Sequence, residues 1–154
     1  MTARGEVDLS GMLRGGVAVV VATVDGDGRP GITRGWGAVY DASSSHLSLN
    51  VTAPAGSPTL ANLESNGAIA VTISEPLTYT TVQVKGTVAH LGAPSEDDRA
   101  RAHEHVDRFV DEVAQLGITS GADGFFLGDL RRVDFPITEM FLQTPGANAG
   151  KQLA

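Results

Sequence analysis

The sequence predicts a small, mostly antiparallel β domain: a barrel or sandwich of six strands with two or three helices beside it. Three observations predict it. Short runs rich in Val, Ile and Thr alternate apolar and polar residues, and turn signals rather than helices separate the early ones. Only two longer segments, 58–66 and 95–117, carry helix start and stop signals, so the strand–helix alternation of a parallel sheet is missing. At 154 residues the chain can bury one real core and is too short for two, which makes 1–154 a single domain.

Residues 1–15 are polar and glycine-rich, with Val7, Leu9, Met12 and Leu13 spaced for a short helix. Residues 17–24 form a β-branched run, hence a strand largely covered on both sides. Asp25-Gly26-Asp27-Gly28 is a turn signal and Pro30 opens the next segment, so a hairpin follows. The second strand, 31–40, puts Ile32, Arg34, Trp36, Ala38 and Tyr40 on one face and Gly31, Thr33, Gly35, Gly37 and Val39 on the other. Three glycines on one face cost conformational entropy and supply no packing. Close approach of a flat ligand or another backbone accounts for them, and so does a bend at a barrel corner. The third strand, 46–52, points Leu47, Leu49 and Val51 one way and His46, Ser48, Asn50 and Thr52 the other.

From Asn50 to Gly67 the chain leaves this strand, crosses a loop of small residues and enters a helix over 58–66. Ser57 is a suitable N-cap, Pro58 suits the first helical position, Thr59 adds a second hydroxyl, and Gly67 is the stop signal. Free N–H groups and hydroxyls at such a start can cradle an anion, or Ser57 can simply cap a connecting helix.

The fourth strand, 68–74, lays Ile69, Val71 and Ile73 on one face. The fifth, 80–91, is long, alternates Val82, Val84 and Val88 with polar residues, and has Gly86 as a bulge or kink. Ser95 caps a second helix whose stripe is Ala102, Val106, Phe109, Val110, Val113 and Leu116. A glycine-rich interval, 117–128, precedes a last strand over 131–143, which Pro136 marks as an edge or bulged strand.

Composition narrows the function. A net charge of −7 argues against nucleic-acid or anionic-membrane binding, which need a basic face. The absence of cysteine removes disulfides, thiolate nucleophiles and thiolate metal sites, and fits a cytoplasmic protein. No apolar run approaches membrane-spanning length, and the first residues lack the features of a secretion signal. His103 and His105 are two apart on a helix and face different sides, leaving only His103 with Asp107 on one face, so no metal site is expected. Neither a Gly-x-Ser-x-Gly elbow nor a phosphate-binding P-loop is present.

Several segments in order carry a resemblance: Asp27-Gly28-Arg29-Pro30, Arg34, the stretch from Thr52 to Asn62-Leu63, Asn66-Gly67-Ala68-Ile69-Ala70-Val71, Val82-Gln83-Val84-Lys85-Gly86, and Gln143-Thr144-Pro145-Gly146. Together they resemble the pyridoxamine 5′-phosphate oxidase-related flavin-binding split-barrel superfamily. The resemblance implies a six-stranded antiparallel split β-barrel with two or three flanking helices, an oxidoreductase activity on a small-molecule substrate, and a homodimer with FMN in a groove at the subunit interface. It implies flavin contacts from Arg34, Gly35 and Trp36, from Asn50, Val51 and Thr52, from Ser57 and Thr59 at the helix start, and from Gln83. The glycine face of the second strand would let backbone approach the ring.

The oxidase proper carries a Ser-Arg-Lys phosphate signature where this chain has Ser57-Pro58-Thr59. Two cationic donors are therefore missing, which puts vitamin B6 oxidation in doubt and keeps a deazaflavin or haem as alternative cofactors. No residue is assigned as catalytic; His46, His90 and Tyr79 are the acid–base candidates. A flavin-binding carrier or sensor without turnover is the alternative function, and a barrel that has lost its cofactor is the third.

Overall fold

The computed structural model describes residues 7–121 and 127–154. The strands are β1 (Ala18–Val24), β2 (Pro30–Asp41), β3 (His46–Thr52), β4 (Ala68–Ser74), β5 (Thr81–Thr87), β6 (His90–Gly92) and β7 (Leu130–Leu142). The helices are α1 (Leu9–Met12), α2 (Pro58–Ser65) and α3 (Glu96–Ala114). All pairings are antiparallel, in the order β3-β2-β1-β4-β5-β7, and β3 pairs back onto β7 to close a six-stranded barrel.

The period-two pattern sets the inside. Val19, Val21, Leu47, Leu49, Val51, Val71, Ile73, Val82, Val84, Val133 and Phe135 are all essentially inaccessible and fill the barrel. Burying a side chain of this size contributes about 1.5–3 kcal/mol, so this layer dominates the stability of the domain. Leu9, Met12 and Leu13 from the α1 region, Leu63 of α2 and Leu153 near the C-terminus add to the same core.

The long fifth strand expected over 80–91 is two strands. β5 and the short β6 are separated at residues 88–89 and lie on the same flank of β7, so seven strands are formed rather than six. Gly86 marks the irregularity: the β5–β7 register shifts at Lys85/Gly86, and a Cβ on Gly86 would stand 2.3 Å from the Pro136 carbonyl oxygen. Pro136 belongs to the same break, since β7 pairs with β3, β5 and β6 and is a bulged strand, not an edge. The interval 117–128 lies partly outside the described residues.

The glycines of β2 turn out to face protein. A Cβ on Gly35 would meet Leu49 at 2.6 Å and Val19 at 2.9 Å inside the barrel, and Gly31 faces Thr23 and Asn62. Gly37 has φ +63° and lies at the β2–β3 register shift, with the backbone of Ala102 2.8 Å from where a Cβ would be. Interior packing and a close helix approach therefore explain this face, and the expected approach to a flat ring is corrected.

Helix α3 begins in a capping box between Ser95 and Asp98 and buries Ala102, His105 and Phe109, one stripe at i, i+3 and i+7. That stripe lies on the outer surface of β2 over Trp36, forming a second, smaller core with Leu130. No helix among the described residues is long and apolar enough to cross a membrane.

Candidate functional site

Ladder registers carry one row of side chains around the outside of the barrel. Arg34 pairs with Val20, Val20 with Thr72, Thr72 with Gln83, and Gln83 with Phe141. On the other side Gly35 pairs with Val51, and the same register one residue on sets Arg34 against Thr52. Thr33 confirms the proximity by donating its hydroxyl to the Thr52 carbonyl at 2.8 Å. Thr52, Arg34 and Gln83, three of the residues expected at a site, thus share one outward row. Arg34 and Gln83 stand three strand spacings apart, roughly 14 Å.

Between them the floor is small and half-buried. Val20 and Thr72 lie in the row, with Ala22 and Ala70 in the row beside it. Gln83 donates its amide to the Thr72 hydroxyl at 3.2 Å. Lys85 lies over the ring of Phe141, 4.9 Å from its centroid. Arg34 is exposed and its guanidinium lies over Phe109, 5.6 Å from the ring centroid, beside an apolar cavity of about 370 Å³ under the C-terminal half of α3.

The other expected site residues do not join this row. Val51 and the Cβ position of Gly35 face the barrel interior, so only their backbone is available to a ligand. Trp36 is buried beneath α3, edge-on to His105 and Phe109 at 5.3 and 6.2 Å, and serves the core there. Asn50 is also buried beneath α3, its amide nitrogen shared between the carbonyls of Trp36 and Asp98. Ser57 caps α2 by accepting from the Leu60 N–H. Thr59 is buried and faces Gly31, so its hydroxyl is turned away from the outside of the helix start. The physical reason is helical geometry: with Ser57 at the cap, the third position rotates inward toward the barrel end closed by Asn62 and Thr23.

The sequence profile of the pyridoxamine 5′-phosphate oxidase family matches residues 10–134. The chain belongs to that family. Solved structures share the split-barrel fold. An F420 reductase aligns at 18% identity over 85% of this chain and 94% of its own, with a TM-score of 0.56. HupZ of Group A Streptococcus aligns at 18% identity over 92% and 96%, with a TM-score of 0.53. The conserved hypothetical protein Rv2991 of Mycobacterium tuberculosis aligns at 20% identity over 80% and 74%, with a TM-score of 0.51. A comparison with curated protein sequences finds no match.

Two buried polar groups beneath α3 were not legible as functional or structural centres in the family motifs. His105 accepts from the Gly37 N–H at Nδ1 (3.0 Å) and therefore donates from Nε2 to the Val17 carbonyl (2.7 Å). Burial, helped by the nearby Arg108, holds its pKa below the ordinary histidine value, against the opposing pull of the Val17 carbonyl and Glu112. Burial pushes the Asp98 carboxyl up, but Ser95, Arg101 and Arg132 outweigh it and its pKa lies below the usual range. The signal for both was the stripe spacing of α3, where His105 falls on the same face as Ala102 and Phe109. Among the described residues there is no group of three or more His, Asp or Glu that could hold a metal.

Proposed function

We propose that this member of the pyridoxamine 5′-phosphate oxidase family is an FMN-binding oxidoreductase acting on a small molecule. The observation that carries the reading is the single outward row holding a cation and a hydroxyl at one end, Arg34 and Thr52, and an amide at the other, Gln83. That donor set fits a phosphate at one end and the polar edge of a flavin ring at the other, across a floor of Val20, Ala22, Ala70 and Thr72. A bound flavin supplies hydride and single-electron chemistry. The chain's part is to bind and orient: Arg34 holds an anion, Gln83 offers a hydrogen bond, and small side chains admit a flat group.

The same face is too open to bury a ring from one chain alone, so a second copy is proposed to close it as a homodimer. Ile32, 75% exposed, stands beside Ala22 and Ala70 on that face and gives a partner apolar surface to cover.

A carrier or sensor without turnover is the second reading, and one observation favours it. The acid–base candidates lie off the row: His46 beside Asp134 at 4.0 Å, His90 exposed on β6, and Tyr79 exposed in the β4–β5 turn. The deciding experiment is an absorbance spectrum of the purified protein after incubation with FMN, FAD, a deazaflavin or haem, followed by addition of a reduced nicotinamide. A flavin spectrum that bleaches and passes electrons to an acceptor supports the oxidoreductase. Bound flavin that does not turn over supports the carrier, and a protein that stays colourless with every cofactor refutes both.

A further inference from the structure

Lys85 and Glu139 stand directly opposite each other on β5 and β7, on the outer face of the barrel. Opposite charges placed so across an antiparallel pair attract each other. Here they stay apart. No carboxylate pairs with Lys85 among the described residues, and its ammonium lies instead over the ring of Phe141, 4.9 Å from the centroid. Phe141 is the cross-strand partner of Gln83. The lysine therefore leans one row along, away from its acidic neighbour and toward the Gln83 end of the row that begins at Arg34.

Lys85 is half-buried, whereas Glu139 is exposed. The Phe141 ring attracts the ammonium and keeps water from one side of it, so its charge acts through a lower effective dielectric than that of a fully solvated lysine. A groove of about 370 Å³ borders Lys85, and its lining includes Ala22 and Ala70, small residues that also floor the row. Each end of the row thus carries one cation: Arg34 at the end read as the phosphate site, and Lys85 at the end read as the site of the ring's polar edge.

Hydride transfer from a donor such as a reduced nicotinamide delivers two electrons and one proton to a neutral oxidised ring, which leaves one negative charge on it. A cation at the polar edge then favours the reduced form over the oxidised one, and that difference in binding is a shift in reduction potential. We propose that Lys85 tunes the flavin in this way: its ammonium, held by Phe141 away from Glu139, balances the charge that reduction places on the ring. The inference rests on the flavin reading and gives Lys85 no part in holding the oxidised cofactor.

Spectroelectrochemical titration of the FMN-loaded full chain tests it, with the affinity for oxidised FMN measured alongside. Lys85→Gln should weaken binding of reduced FMN about tenfold relative to oxidised FMN, which lowers the two-electron potential by about 30 mV. The affinity for oxidised FMN should stay the same. Lys85→Arg keeps the charge and should keep the potential. Phe141→Leu frees the ammonium to reach Glu139 and should lower the potential; adding Glu139→Gln to it should restore the value. Arg34→Ala should weaken both redox forms alike, because both carry the phosphate, and leave the potential in place. An unchanged potential in Lys85→Gln, or an equal drop in Lys85→Arg, overturns the proposal and leaves the flavin reading standing. A wild-type chain that takes up no FMN overturns both.

Discussion

Replacing His105 by Phe should destabilise the domain by about 2–6 kcal/mol, because two buried backbone groups lose their only side-chain partner. The ring of His105 sits 2% exposed between three parts of the chain. It accepts from Gly37 in the β2 bulge, donates to Val17 just before β1, and packs edge-on to Trp36 at 5.3 Å. Phe retains a ring against Trp36 and removes both nitrogens, leaving the Gly37 N–H and the Val17 carbonyl buried and unpaired at about 1–3 kcal/mol each. Urea unfolding reads the loss as a lower midpoint at unchanged m-value. The same residue sets a pH dependence. Burial lowers its folded pKa, so below about pH 6.5 the unfolded chain takes up a proton that the folded chain refuses, and stability falls as pH falls through that window. The difference in stability between wild type and His105→Phe should therefore shrink on going from pH 7.5 to pH 5. A loss under about 1 kcal/mol, or a difference independent of pH, would refute the assignment of His105 as the neutral clamp beneath α3.

Arg34→Ala should weaken FMN binding ten- to a hundred-fold, about 1.5–3 kcal/mol, and leave riboflavin binding nearly unchanged, since only FMN carries the phosphate. Equal weakening of both ligands in fluorescence titrations would mean that Arg34 shapes the groove without touching the phosphate. Gly86→Ala drives a methyl to 2.3 Å from the Pro136 carbonyl and 2.6 Å from the Phe135 ring, so a drop in stability of about 1–3 kcal/mol is expected by thermal or chemical melting. Ser95→Ala removes one half of the α3 capping box and should cost about 1 kcal/mol, read as an earlier melting transition. Light scattering at micromolar concentration should give twice the 15.9 kDa chain mass, and a monomer mass would contradict the proposed closure of the outer face.

What the sequence alone determined was local. Period-two alternation settled β3 over His46–Thr52 and β4 over Ala68–Ser74 to the residue, because one face of each is buried and a slip by one would turn Leu47, Leu49 and Val51 outward. The Ser57-Pro58 start and the Ser95 cap fixed where α2 and α3 begin, since caps act through hydrogen bonds only three residues long. Tertiary structure decided what each face meets. Gly31, Gly35 and Gly37 were visible as a face without side chains, but whether a ring, a core or a helix approached them depended on partners on other elements, as far as 68 positions away for Gly37 and His105. Likewise Arg34 and Gln83 became neighbours of one row through three ladder registers, and Trp36 and Asn50 left it because α3 folds back over β2. Alternation tells which residues share a face; only the closure of the barrel and the docking of a helix decide which faces are outside.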